Sequence, residues 1–445
     1  MSPSAQLFPG LSFAGSKRSY LGLCYILLLF LPFALPHGPL LAADLLAPLM
    51  ALLLCWQWRA GLRVCREQGY ALPIFLILAG IATLLHLVRG SGSLYDFSVF
   101  AYMALLYVYF RLHPPGASLQ KYLGLGMLLS LLLGFFYACL SLWLAWLPEL
   151  GLFYRDPYSA ERGLSLLALR YQFFFNNPNL LGSFYVLPIA LVCPWLTELA
   201  KKCRGAKNRL VLAAAVVLLL LPLYSSASKH MLLSFALLCA VPLQAWPELR
   251  RPLQRLLLPG LALFALLCLL TVLLPVFPLS GQFPYINVKH QSNYSIHQEI
   301  YLKMLSMKRT NWVWGLGNRG CREAYPQLAD RDKIEYVMQQ YNSPHWVQPF
   351  CSFMDPHQEY LNLASLFGLP ALLAMLCFWL RLSRQKNEYL RFFCLALLLC
   401  CFWDDLLSKR WLWVTAALLY SRENKHEETG MDTKAENKDM PVNLP

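Results

Sequence analysis

Charge is what this chain has least of. Only 14% of its 445 residues are Asp, Glu, Lys or Arg, against 58% hydrophobic, and the mean hydropathy is +0.45. A soluble globular protein carries about a quarter charged residues, so the shortage argues against a string of soluble domains. One large helical bundle in a membrane fits instead. Acidic groups are the scarcer sign, 24 Asp and Glu against 38 Lys and Arg, for a formal net charge of +14. That excess would suit nucleic acid only as a basic patch on a soluble domain, and the sequence offers none. No nucleic-acid partner is expected.

Other absences narrow the function. There is no internal repeat and no matched pair of six-helix halves, which counts against a transporter of the major-facilitator type. No glycine run sits in a βαβ context, so a nucleotide fingerprint is missing. No Ser occupies a nucleophile elbow. No His, Cys and carboxylate spacing resembles a metal-ligand set; neither a metal nor a cofactor is expected. Asp404-Asp405 is the one adjacent acidic pair on the outer side, and ion pairing with Lys409 or Arg410 is its simpler account. Of 14 cysteines, most lie in apolar runs, for example Cys139, Cys239, Cys268, Cys377, Cys400 and Cys401. There a thiol acts as a small hydrophobe. Only Cys321 and Cys351 share a long polar stretch, where they either pair in an oxidising compartment or stay as two thiols. The first apolar run has no obvious small-residue cleavage site after it and reads as a retained helix.

Apolar stretches long enough to span a bilayer fall near 20–36, 39–57, 71–88, 96–112, 122–147, 180–197, 209–224, 231–246, 256–278, 359–380, 389–403 and 410–420. The expected fold is therefore an all-α polytopic membrane protein with about twelve transmembrane helices and one long periplasmic loop of helical character. Lys and Arg gather in alternate loops: Arg59, Arg63 and Arg66; Arg111 and Lys121; Lys201 to Arg209; Arg250, Arg251 and Arg255; Arg381 to Arg391. With the positive side inside, both termini are cytoplasmic. Residues 1–278 then form nine spans, 279–356 the large outer loop, 357–420 three more spans, and 421–445 a polar tail without periodicity. A second outer segment holds the aromatic piece 164–175, expected to lie in the interface plane.

Three junctions on the outer side carry unusual polar groups. In Arg170 to Gly182, Asn177 followed by Pro178 reads as a helix N-cap and first helical position, next to a cation and to Asn179; such a start suits a phosphate. The competing account is a capped helix with an interfacial Arg. The turn Ser225 to His230 gathers three hydroxyls, Ser228 among them, with Lys229; it suits an anion, or Lys229 simply snorkels. The third is Asp355-Pro356-His357-Gln358, read as a helix start with Asp355 as N-cap and Gln358 completing a capping box. A neutral His357 there suits a general base for a sugar hydroxyl; the alternative is an interfacial hydrogen bond. Inside the loop, Trp312-Val313-Trp314-Gly315-Leu316-Gly317-Asn318-Arg319 sets two Trp faces, suited to sugar rings, beside an Arg fork suited to diphosphate.

In this order, the parts resemble the O-antigen ligase and O-antigen polymerase superfamily of bacterial inner-membrane glycosyltransferases. They are Arg170 ahead of Asn177-Pro178-Asn179, a Ser-x-Ser-Lys turn at 226–229, and a long outer loop with Trp-x-x-Gly-x-Gly at 312–317. His357-Gln358-Glu359-Tyr360-Leu361 and Gly368-Leu369-Pro370 follow. The resemblance covers roughly 165–420. It departs where the family has Arg and this chain Lys229, and where the family has Asn and this chain Gln358. The family's earlier loop arginine has Lys289, Lys308 and Arg309 as candidate counterparts. The resemblance implies a glycan donor on undecaprenyl diphosphate and an acceptor hydroxyl on lipid A–core or on another lipid-linked glycan. His357 would be the catalytic base. Arg170, Asn177, Asn179, Ser228, Lys229, Arg309, Arg319, Trp312 and Trp314 would bind substrate among membrane lipids. A ligase is the leading expectation, a polymerase the alternative, and a lipid-linked-glycan transporter the reading from a different class.

Overall fold

The computed structural model describes residues 17–31, 41–144, 146–148, 150–155, 169–175, 177–203, 205–226, 228, 230–246, 288–340, 347–402 and 404–421. The chain is an all-α membrane protein, with one small hairpin as the exception among the described residues. Among the described residues, four helices are long and apolar enough to cross a bilayer: Ala71–Val88, Ala117–Trp143, Pro178–Lys202 and Lys207–Ser225. The expected run at 39–57 is helical from Ala42 to Trp56 and then turns by 88° into Trp58–Glu67, which makes five if the pair counts as one span. The run at 256–278 lies outside the described residues, as does the tail beyond 421.

In chain order the helices are α1 Lys17–Phe30, α2 Ala47–Trp56, α3 Trp58–Glu67, α4 Ala71–Val88, α5 Leu94–Leu112 and α6 Ala117–Trp143. After the hairpin come α7 Pro178–Phe184, α8 Val186–Lys202, α9 Ala206–Ser225 and α10 Met231–Ala245. The helices of the long polar loop are α11 Val288–Ser306, α12 Arg309–Trp314, α13 Gly317–Leu328, α14 Arg331–Gln340 and α15 Val347–Ser352. The C-terminal part has α16 Glu359–Phe367, α17 Leu369–Ser383, α18 Glu388–Cys400 and a last helix, α19, over 410–421.

Burial separates a central helix from a peripheral one of similar hydropathy. The Pro178–Lys202 span is 83% buried and packs on α6 and α10, whereas Lys207–Ser225 is 17% buried and presents its apolar surface outward. An aromatic knot ties α5, α17 and α19: Tyr107 meets Phe378 at 5.2 Å, and Trp413 meets Trp379 at 5.1 Å and Phe378 at 5.5 Å. Such pairs contribute about 0.5–1.5 kcal/mol each beyond their area.

Helix α4 fixes two ends. At its start, Arg381 lies against Gly69, and Arg111 pairs with Glu67 at 2.7 Å. At its other end, His86 Nε2–H donates to the Trp314 carbonyl at 2.8 Å and the Asn318 amide donates to Asp96 at 3.2 Å. Eighteen helical residues rise about 27 Å, roughly one hydrocarbon thickness. Arginines therefore gather at one end of this span and the loop helices at the other. The loop helices share a small core of their own, including Ile300, Met304, Tyr325, Ile334, Met338 and Phe350. Cys321 and Cys351 belong to that cluster as two free thiols; of the two sequence alternatives, the unpaired one is found.

Two local expectations change. The described part of the aromatic piece before Asn177 begins as a strand. Residues 164–168 lie outside the described residues, while β2 Leu169–Tyr171 pairs antiparallel with β1 Phe153–Arg155, setting Arg170 opposite Tyr154. The span expected at 359–380 is broken at Gly368 into α16 and α17.

Candidate active site

Arg170 is aimed by the hairpin rather than by a helix. Its Nε–H donates to the Ser226 carbonyl and its Nη2–H to Asn179 Oδ1, both at 2.9 Å. Asn177 caps α7 as its sequence implied: its backbone is extended, and its side-chain oxygen accepts from the Asn179 N–H at 2.7 Å. Ser228 is buried, and its hydroxyl accepts from the His230 N–H at 3.2 Å. Gly182 permits this approach, since a Cβ there would collide with the Ser228 side chain. Arg170, Asn177, Asn179 and Ser228 thus form one cluster. Lys229 lies outside the described residues.

His230, which closes the 225–230 turn and has no role of its own in the sequence pattern, joins this cluster to the turn before α19. Its Nδ1 sits 3.1 Å from the Asn179 carbonyl, which only accepts, so Nδ1 carries the hydrogen. Its Nε2 stands 3.0 Å from Asp404 Oδ2, an ion-pair distance but off the hydrogen-bond direction. The acidic pair is divided: Asp404 faces His230, Asp405 pairs with Lys409 at 3.4 Å, and Arg410 turns away to Asp44. Burial in that turn pushes the Asp405 carboxyl up to about 6, opposed by the Lys409 ammonium.

The capping box expected at Asp355 does not form. Helix α16 starts at Glu359, Gln358 is its N-cap and makes no side-chain capping bond, and Asp355 is exposed. Tertiary partners override the local pattern. The Glu359 N–H donates to the Cys401 carbonyl at 2.9 Å, and its Oε2 accepts from the Leu407 N–H at 3.0 Å. Glu359 is fully buried, with no hydrogen-bond partner for Oε1 among the described residues. His357 is therefore not in a first helical turn. It is half-buried in a bend, with φ 46°, a left-handed backbone that a side chain other than Gly rarely adopts. Its ring packs against that of His297, centroids 6.5 Å apart.

These contacts make one chain. Glu359, two residues after His357, holds both flanks of the 401–407 turn; Asp404 in that turn faces His230; His230 holds Asn179; Asn179 holds Arg170. The loop residues stand differently. Trp312 and Trp314 are half-buried against the main core, and their segment docks through glycines on the α16–α17 junction. Arg309 is exposed, and Arg319 is exposed and paired with Glu323 of its own helix at 2.9 Å. Among the described residues, no three His, Cys, Asp or Glu side chains gather as a metal-ligand set.

The arrangement joins a guanidinium, through a chain of contacts, to the segment that carries a half-buried imidazole in a strained bend. No family model and no curated protein matches the chain.

Proposed function

We propose that this protein is an O-antigen ligase of the bacterial inner membrane. It would transfer a glycan from undecaprenyl diphosphate to a sugar hydroxyl of lipid A–core, with the reaction on the periplasmic face. In this reading the chain crosses the membrane about twelve times, with both termini cytoplasmic and residues 279–356 outside. The observation that carries it is the contact chain from Arg170 through Asn179, His230 and Asp404 to the segment bearing His357. It links the Arg170 guanidinium to the segment of the His357 imidazole through the connecting turns of a helical bundle.

The chemistry is displacement at the anomeric carbon. His357 takes the proton of the acceptor hydroxyl as the new C–O bond forms. The bond to the diphosphate oxygen breaks, and cationic donors around Arg170 stabilise the charge that collects on the leaving group. Ser228 and Lys229 belong to the 225–230 turn, whose Ser226 carbonyl accepts from Arg170. Trp312 and Trp314 with Arg309 and Arg319 supply the loop wall, and the polyprenyl chain lies among membrane lipids.

Deletion in the source bacterium, followed by a gel of its lipopolysaccharide, tests the assignment. Bare core with long glycan left on the carrier supports a ligase. Core capped by one repeat unit would make the chain a polymerase, and donor that stays inaccessible from the periplasm would make it a transporter. Complementation with His357→Ala should leave the ligase phenotype uncorrected although the protein inserts and accumulates. Full correction would remove His357 from the chemistry.

A further inference from the structure

Behind His357 stands a second imidazole that the sequence motifs pass over. His297, on α11, is 1% exposed. Its ring stacks at 38° on Phe350, centroids 4.7 Å apart, and its Nδ1 is hydrogen-bonded to the Tyr325 hydroxyl on α13. Its other face of contact is His357, at an interplanar angle of 63°. Three elements therefore fix His297, and His297 in turn is a wall for the ring of His357.

A wall alone does not call for a histidine. Phenylalanine would fill the same slot against Phe350 and Tyr325 without burying a second, unpaired nitrogen, though the Tyr325 hydroxyl would lose its partner. Here Nε2 is buried without a hydrogen-bond partner among the described residues. Burial, helped by the neighbouring His357, pushes the His297 imidazole down to about 3, so the ring is uncharged across the physiological range. An uncharged ring beside a base does not oppose proton uptake by that base, whereas a lysine or arginine there would. The strained backbone of His357 adds a reason for outside support. A left-handed residue persists where its surroundings over-determine it, and the ring of His297, itself fixed by Tyr325 and Phe350, stands edge to face with that of His357, centroids 6.5 Å apart.

We infer that His297 is a positioning residue for His357, holding the base imidazole in one orientation and offering Nε2 as a hydrogen-bonding group to the acceptor that arrives between them. This inference rests on the reading of His357 as the base. In the loop, the Tyr325 hydroxyl sets the tautomer of His297: if it donates to Nδ1, Nε2 carries the hydrogen and donates to an acceptor oxygen.

The test uses the full chain in detergent, with undecaprenyl-diphosphate-linked oligosaccharide as donor and lipid A–core as acceptor. His297→Phe keeps the ring and removes both nitrogens. It should lower kcat on the order of ten- to hundredfold, as misplacing a reacting group does, with the donor KM unchanged. His297→Asn, which keeps a polar atom where Nδ1 meets Tyr325, should recover part of the rate. Tyr325→Phe, which removes only the hydroxyl, should lower kcat several-fold without changing expression or elution, and covers the case in which His297→Phe does not fold. Unchanged kcat in a folded His297→Phe, or in Tyr325→Phe, overturns the inference. Wild-type transfer by His357→Ala instead overturns the underlying reading of the base, so the two failures are told apart.

Discussion

Arg410 grips Asp44 edge on, Nε to Oδ1 and Nη2 to Oδ2, each at 2.7 Å. The pair joins the start of the last helix to the short helical turn before α2. The Tyr102 hydroxyl also donates to Oδ1 at 2.7 Å, and the Leu41 N–H donates to Oδ2 at 2.8 Å. The side chains are 18% and 6% exposed, so removing one partner strands the other charge. Breaking such a pair costs about 3–5 kcal/mol. Asp44→Asn and Arg410→Met should each lower the thermal midpoint of the purified protein, and Arg410→Lys should recover only part, since a point charge cannot make the fork. The double variant should be less destabilised than the two singles added together. Additive losses would mean the pair is not coupled.

Gly315 and Gly368 are both needed for the loop to dock on the bundle. Their backbones, φ 73° ψ −165° and φ 87° ψ 169°, lie in a region that essentially only glycine occupies. A Cβ on Gly315 would stand 2.6 Å from the Ser365 carbonyl oxygen, and one on Gly368 would run into the Val313 carbonyl. Gly315→Ala and Gly368→Ala should each cost about 1–3 kcal/mol from backbone strain alone, before the clash is counted. Limited proteolysis should then cut the 288–352 region faster than in the parent. Equal cutting rates would show that the junction tolerates a side chain.

Arg170 is oriented through Asn179, and Asn179 is held at its carbonyl by His230. Arg170→Ala should therefore raise the donor KM sharply, whereas His230→Phe, which keeps Arg170 but loosens its partner, should raise it less. Arg170→Lys should stay well below the parent, because a lysine cannot reach the Ser226 carbonyl and Asn179 with a planar fork. Steady-state kinetics with the lipid-linked donor separate these cases. A donor KM untouched by Arg170→Ala would return Arg170 to a purely structural role in the hairpin.

What could be read from the sequence follows the range of the interactions involved. The Asn177-Pro178 cap was legible because its hydrogen bond closes within two residues. The cap expected at Asp355 was not, because Glu359 finds its partners at Cys401 and Leu407. The hairpin that aims Arg170 has strands of three residues, too short to leave an alternating pattern. Long apolar runs announced the helices, but the breaks at Gln57 and Gly368 depend on what packs beside them. His230, Asp404, Asp44 and His297 gain their roles from partners dozens to hundreds of residues away. One sign of Asp44 was present: a single carboxylate inside an apolar run needs a partner.

His297 also predicts how the long polar loop responds to acid. Burial holds its imidazole down to about 3 in the folded loop, while an unfolded histidine titrates near 6.5. Between those values the unfolded state binds a proton that the folded state does not. Stability therefore rises with pH across this window and is lost as pH falls from about 6.5 toward 3. One proton gives at most about 1.4 kcal/mol per pH unit. The cluster of Ile300, Tyr325 and Phe350 around His297 should open first. Hydrogen exchange of α11 and α13 should accelerate between pH 6.5 and 5 in the parent, beyond the intrinsic change of the exchange reaction. In His297→Phe that extra acceleration should vanish. Its persistence in the variant would assign the acid sensitivity to another group in the loop.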